Sequence, residues 1–210
     1  MIDDYIPKNV IRRLPRYHRF LGDLVKEGVE RISSNDLAEL MNVTASQIRQ
    51  DLNHFGGFGQ QGYGYNVRYL YEKIGAILGL DRKHRMVIIG AGNLSRAFTH
   101  YYGFKDLGFI IAGIFDNNKD LIGTDINGLP VRSVDDLPEF VKKENVEIAI
   151  LTVPKESANQ AAAEVIEAGI SYIWNFAPVE LDVDRRKIHV ENVYLVESLM
   201  QLSFEIASNQ

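Results

Sequence analysis

The chain has no cysteine. That excludes disulfides, thiolate nucleophiles, iron–sulfur clusters and thiol-based redox sensing, so any response to redox state must work through a bound cofactor. Long hydrophobic runs are also missing; the apolar stretches fall far short of the ~20 residues that cross a bilayer. The opening Met1-Ile2-Asp3-Asp4 carries no signal-peptide pattern, and a cytoplasmic protein without a membrane partner is expected. Histidine is sparse and scattered. His18, His54, His84, His100 and His189 do not cluster for a metal, and none stands at a strand end with an acid partner, where general acid–base work would want it. Net positive charge is lacking too: the balance is −5, which by itself does not advertise nucleic-acid binding.

What is present is unevenly spread. Residues 1–85 carry 13 Lys+Arg against 10 Asp+Glu, whereas residues 86–210 carry 10 against 18. A change of sign between halves suggests two domains with different partners, although scatter accounts for it equally well. At 210 residues and 46% hydrophobic, the chain can build one large or two small cores.

The most informative stretch is Arg85 to Ala97. Met86 to Ile89 reads as a buried strand, Gly90-Ala91-Gly92 breaks it, and Asn93-Leu94-Ser95 opens a helix. Strand, glycine turn and helix together make a dinucleotide fingerprint credible. The first glycine permits the tight turn and the second lets the backbone approach a pyrophosphate. The helix start aims free N–H groups and a positive dipole end at the same anion. Ser95 stands where a third glycine or alanine is usual. A second strand, Phe109 to Phe115, ends in Asp116, placed as the acid that accepts from ribose hydroxyls and repels a 2′-phosphate; NAD(H) is therefore expected over NADP(H). The plain alternative is a glycine-rich turn that binds nothing.

In chain order, Ile6-Pro7 opens a helix with proline suited to its first turn, Arg12, Arg13, Arg16 and Arg19 recur along it, Pro15 restarts or kinks it, and Gly28 stops it. The arginines suit a solvated face, phosphate contact or a bridge to another domain. Ser33-Ser34-Asn35 caps a second helix ending at Asn42, and Thr44 with Gln47 forms a capping box for a third that runs to about Phe55. Ile48 and Leu52 point inward. That leaves Ser46, Gln47, Arg49, Gln50 and Asn53 outward, the side-chain types that read base edges. Two short helices with a tight turn make a helix-turn-helix; an ordinary polar helical hairpin is the competing reading. Gly56 to Tyr65 alternates glycines with aromatics and reads as a hairpin, the wing of a winged helix, with Gln60 and Gln61 at its tip and Tyr63 beside them. Val67 to Leu78 is helical, and Gly79 to His84 is a polar connector.

The second half alternates strand and helix. Strands are expected at Leu129–Val131, Val146–Val153 and Tyr172–Phe176, and helices at Ser133–Lys143 and Glu156–Ala168. Near-continuous apolar strands between helices mean a parallel sheet covered on both faces. Thr152, Val153, Pro154, Asn175 and Phe176 lie at strand carboxyl ends, where such folds bind ligands. The tail, Val193 to Ala207, is a helix apolar nearly all round, which must be buried on several sides, either by exchange in a dimer or by docking on its own domain.

Taken together, Ser46-Gln47-Ile48-Arg49-Gln50-Asp51-Leu52, the wing ending Gly62-Tyr63-Gly64-Tyr65-Asn66, the glycine fingerprint and Asn175-Phe176-Ala177-Pro178 resemble the redox-sensing transcriptional repressors of the Rex family. The resemblance covers almost the whole length. It implies an N-terminal winged helix (residues 1–80), a Rossmann-like doubly wound parallel sheet binding NAD(H) (85–190) and a C-terminal domain-swapped helix (191–210). It implies a homodimer that binds palindromic double-stranded operator DNA when NAD⁺ is abundant and releases it on binding NADH. By the same resemblance Tyr101 is the tyrosine beside the nicotinamide, and Arg12, Arg16 and the wing contact DNA. The chain departs from the family in four places: Ser95 for glycine, Tyr102 for the proline after the tyrosine, glutamines at 60 and 61 where Lys or Arg is frequent, and Tyr194 for an aspartate that pairs with an N-terminal arginine, here Arg16.

Two rival classes are open to a cheap check. A small NAD-dependent dehydrogenase would need a substrate domain, and none remains once residues 1–80 are assigned to DNA. A CoA-binding module could use the same glycine turn, but the 3′-phosphorylated ribose of CoA lacks the intact diol that Asp116 suits.

Overall fold

A computed structural model describes residues 7–54, 59–60 (backbone only) and 64–208. The chain divides into two compact units, Met1–Arg82 and Lys83–Gln210.

In the first unit, helix α1 (Lys8–Lys26) starts after Pro7, which takes the N-cap position rather than the first turn. Pro15 sits inside α1 without ending it, and Gly28 follows the C-cap with φ +76°. Strand β1 (Arg31–Ile32) leads into α2 (Ser34–Met41), whose N-cap Ser33 forms a capping box with Asp36 and whose C-cap Asn42 is left-handed. Helix α3 (Ala45–Asn53) begins at Thr44, whose hydroxyl accepts from Gln47 N–H; only this half of the expected box forms, and α3 ends two residues before Phe55. Strands β2 (Gly59–Gln60) and β3 (Gly64–Asn66) pair antiparallel, and β1 pairs with β3 on its other edge. Helix α4 (Val67–Ile77) is capped by the Asn66 side chain accepting from Tyr69 N–H. Leu14, Tyr17, Leu21, Leu37, Ile48, Leu52, Leu70 and Ile74 close one core. Burial of each leucine or isoleucine among them contributes about 1.5–3 kcal/mol. Four helices over a small three-stranded sheet, with the antiparallel pair β2–β3 after α3, make a winged helix. The third strand, β1, is only two residues long and carries no alternation to reveal it.

The second unit is built on a seven-stranded sheet. Its elements are β4 (His84–Ile89), α5 (Asn93–Thr99), α6 (Gly103–Asp106), β5 (Phe109–Asp116), β6 (Asp125–Ile126), β7 (Leu129–Ser133), α7 (Leu137–Glu144), β8 (Ile148–Leu151), α8 (Ala158–Glu167), β9 (Tyr172–Asn175), β10 (His189–Asn192) and α9 (Leu195–Ser208). Strand order is β10-β9-β8-β4-β5-β7-β6, parallel except for the edge pair β6–β7. Leaving aside β6, this is the 3-2-1-4-5-6 order of dinucleotide-binding sheets, with the switch point between β4 and β8. Helices α7 and α8 cover one face through Leu137, Val141, Ala158, Ala161, Ala162 and Val165. The other face packs Met86, Ile88, Ile114, Val131 and Ile150 with Phe98 and Phe104.

Boundaries depart from expectation where local chemistry intervenes. Residues 134–136 and 155–157 form single 3₁₀ turns ahead of α7 and α8. The Val146–Val153 run is a strand only over its central four residues. Strands β6 and β10 and the one-turn α6 lie in segments rich in charge and glycine, where no periodicity marks them.

Candidate nucleotide site and nucleic-acid interface

Gly90 and Thr152 follow the carboxyl ends of the neighbouring strands β4 and β8 and lie in close contact. Thr152 Oγ1 donates to the carbonyls of Ile89 (3.1 Å) and Gly90 (2.9 Å), and Thr152 N–H donates to Ile89 O (2.9 Å). Gly90 has φ +102°, and a Cβ there would stand 2.9 Å from Thr152 O, so only glycine fits this crossing. Gly92, with φ −80°, is different: a Cβ would meet nothing within 4 Å. Its missing side chain leaves open space over the turn, as backbone approach by a bulky anion requires. Asp116 ends β5 beside the turn. Its Oδ2 accepts from Ala91 N–H (2.7 Å) and its Oδ1 from Asn118 N–H (2.8 Å). Two backbone donors hold the carboxylate at the rim of the turn, where a ribose would meet it.

These residues line a cleft of about 430 Å³ that also takes in Val153, Pro154, Asn117, Leu121, Val134 and one side of α8. The cleft thus gathers Gly90, Ala91, Gly92, Asp116, Thr152, Val153 and Pro154 from the expected set. Asn93, Leu94 and Ser95 are not among its walls. Asn93 and Leu94 form the first turn of α5, and Ser95 is fully buried beneath it, with no hydrogen-bond partner for its hydroxyl among the described residues. The α8 face was missed by sequence reasoning. Its signal was there in Ser157, Gln160, Ala161 and Glu164, which recur at three- and four-residue spacing.

Tyr101 and Phe176 join a separate aromatic group. Tyr101 meets Phe104 edge-on (4.9 Å), Phe104 meets Trp174 (5.7 Å), and Phe176 packs on Trp174 (4.6 Å) and Phe98 (4.8 Å). Asn175 is fully buried, and its amide is committed to the chain: it donates to Val179 O and Asn192 Oδ1 (both 2.9 Å) and accepts from Ala177 N–H (3.0 Å). Asn192 in turn donates to Glu180, which also accepts from Tyr194 (2.7 Å), the residue before α9, and from Arg185 (2.6 Å). The Tyr194 hydrogen bond, with help from Asn192 and Arg185, lowers the Glu180 pKa, and the same bond raises that of Tyr194. A carboxylate therefore stands beside position 194 although the residue there is tyrosine. Helix α9 itself exposes Leu195, Val196, Leu199, Met200, Leu202, Phe204 and Ile206, each 60–70% accessible.

In the first unit, Ser46, Arg49, Gln50 and Asn53 are exposed along α3, and Gln47 is half-buried. Arg49 donates to Ser34 Oγ (2.9 Å), which ties this face to the start of α2. Arg12 is exposed on α1. Arg16 is turned to the helix pair: its guanidinium donates to Met41 O and lies 5.8 Å from the Phe20 ring centroid. The Gln60 side chain, Gln61 and Tyr63 lie outside the described residues.

Comparison with known proteins places the chain. Residues 81–179 match a family described as "CoA binding domain", and residues 5–53 match "Putative DNA-binding protein N-terminus". The redox-sensing transcriptional repressor Rex of Clostridioides difficile (strain 630) is 53% identical over 195 residues, 93% of this chain and 92% of the relative. That of Caldanaerobacter subterraneus subsp. tengcongensis is 51% identical over 197 residues, covering 94% and 88%. The chain belongs to the Rex family of redox-sensing transcriptional repressors. Among solved structures, the Rex-family repressor RSP in complex with β-NAD⁺ and operator DNA is similar at a TM-score of 0.92, with 48% identity over 99% of this chain and 95% of that one. RSP in complex with β-NADH is similar at 0.88, with 45% identity over 99% and 97%. Rex relatives are regulators, which sets aside the dehydrogenase alternative. Among the described residues no helix is long and apolar enough to cross a membrane, and no group of three acidic or histidine side chains could hold a metal ion.

Proposed function

We propose that two copies of this chain hold a palindromic operator duplex in the cytoplasm when NAD⁺ prevails and release it when NADH is bound. The observation that carries the reading is the coexistence, in one chain, of a switch-point cleft holding Gly90, Gly92 and Asp116 with an exposed polar recognition face on α3. The start of α5, from Gly92 to Ser95, supplies N–H groups to the pyrophosphate, Gly90 and Ala91 shape the turn beneath it, and Asp116 takes the ribose diol. Thr152, Val153, Pro154, Tyr101 and Phe176 frame the nicotinamide half, and Asn175, buried with its amide committed to Val179 and Asn192, braces the strand end that carries Phe176. Ser46, Gln47, Arg49, Gln50 and Asn53 read base edges. Arg12, Arg16, Gln60, Gln61 and Tyr63 flank them on the duplex.

The aromatic group of Phe98, Phe104, Trp174 and Phe176 gives the discrimination its physical basis. An unpaired positive ring is costly against apolar walls, whereas the neutral reduced ring is not. Operator binding needs two recognition helices about 34–36 Å apart, so a displacement of a few ångströms suffices for release. Near-complete switching requires about 5.5 kcal/mol of preference, shared by two nucleotides. The exposed apolar run of α9 supports the homodimer, because a second copy is the cover it lacks. Asp116 supports NAD(H) over CoA at the turn matched by the CoA-binding description.

A gel-shift titration on a palindromic duplex tests the proposal. NADH is expected to abolish the shifted band, with NAD⁺ and CoA leaving it in place. Retention of the band at saturating NADH would refute the switch.

A further inference from the structure

The cleft has one wall whose chemistry the fingerprint does not explain. Helix α8 contributes Gln160, Ala161 and Glu164 to it, and Leu121 and Val134 add apolar surface. Asp116 and Glu164 are the only charged residues among the described lining, and no cation lines the cleft beside them. Gln160 Nε2 donates to Glu164 Oε1 (3.0 Å), which steadies the carboxylate and leaves Oε2 without a hydrogen bond among the described residues. Glu164 is half-buried rather than splayed into solvent.

On the nucleotide reading above, on which this inference rests, the cleft and its guest must match edge to edge. The ribose held by Asp116 carries the purine, which therefore falls in the same cleft. A purine ring has two apolar faces, suited to Leu121, Val134 and Ala161. Around its edge adenine offers one strong donor, the exocyclic amine at C6, and otherwise acceptors. A carboxylate can only accept. We infer that Glu164 reads the 6-amino group of the purine, with Gln160 as its positioning partner, and that the site thereby selects a 6-aminopurine over a 6-oxopurine dinucleotide. A carbonyl at C6 would face the Glu164 carboxylate acceptor to acceptor, and a site that accepts from an amine disfavours the analogue lacking it.

The test uses the full chain, titrated calorimetrically with NADH and with its hypoxanthine analogue, in which the amine is replaced by a carbonyl oxygen. The unsubstituted chain is expected to prefer NADH by about tenfold, the scale of one hydrogen bond to a charged group. Glu164→Ala should erase the preference by weakening NADH and removing the acceptor that opposes the analogue's carbonyl. Glu164→Gln, whose amide can donate to a carbonyl, should reverse it. Undiminished affinity of Glu164→Ala for the hypoxanthine analogue shows at the same time that the variant is folded and its ribose contact intact. The same ratio in all three chains would overturn the assignment of Glu164 while leaving the nucleotide site standing. Failure of the unsubstituted chain to bind either dinucleotide would overturn both.

Discussion

Arg13 and Asp51 meet in a two-point ion pair, Nε to Oδ2 at 2.7 Å and Nη2 to Oδ1 at 2.6 Å, and Tyr17 donates to the same Oδ2 at 2.8 Å. Asp51 belongs to α3 and the other two to α1, so the helix proposed to read DNA is pinned to α1. Burial is the first cause that raises the Tyr17 pKa, with the Asp51 hydrogen bond second; hydrogen bonding to Asp51 also raises that of Arg13. Substituting Asp51→Ala strands a guanidinium and a buried hydroxyl. Breaking a buried pair in this way costs about 3–5 kcal/mol. Urea unfolding followed by circular dichroism is expected to show a loss of that size, accompanied by weaker operator binding.

A second prediction concerns acid. His18 is buried on α1, stacked on Tyr71 at 4.2 Å, and desolvation lowers its pKa from the usual 6.5. The unfolded chain then takes up the proton before the folded one does. Stability is thus undiminished above about pH 6.5 and declines as the pH falls from there towards the folded-state pKa. His18→Gln should flatten this acid limb. Denaturation midpoints measured from pH 7.5 to 5 check it; parallel profiles for the two proteins would contradict the assignment.

The two glycines of the turn should fail differently. Gly90→Ala forces a side chain into positive φ and against Thr152 O, at a cost of about 1–3 kcal/mol, so both melting temperature and NADH affinity should drop. Gly92→Ala meets no neighbour. Its stability should stay within about 0.5 kcal/mol of the parent, yet NADH affinity should fall roughly tenfold or more because the new methyl occupies the pyrophosphate's approach. Calorimetry combined with thermal unfolding separates the two.

The tail supplies a fourth. Leu202 and Phe204 are 60% and 70% exposed on α9. Replacing both by glutamate charges the run that a second copy is proposed to cover. Sedimentation should then report a monomer, and the monomer should no longer shift a palindromic duplex.

Much of this was legible in the chain. The glycine turn, Asp116 and the strand ends are set by residues with narrow backbone or charge requirements, so spacing alone placed them. Ser33 and Asn42 likewise announced both ends of α2. What stayed hidden depended on tertiary partners. Nothing in the arginine run of α1 distinguishes Arg13, which faces Asp51, from Arg12, which faces solvent. Asn175 stands at a strand end as a ligand residue would, yet its amide is committed to Val179 and Asn192, and no local pattern records that. Two-residue strands such as β1 and β6 are too short for any period to show.

Thr152 sets the mouth of the sheet. One hydroxyl clips two successive carbonyls of the neighbouring strand, at Ile89 and Gly90. The rear of the crevice is therefore cut to a constant width before any guest arrives. Little of a guest's binding energy goes into prising it open, and the larger share remains for shifting whatever lies further from that clip.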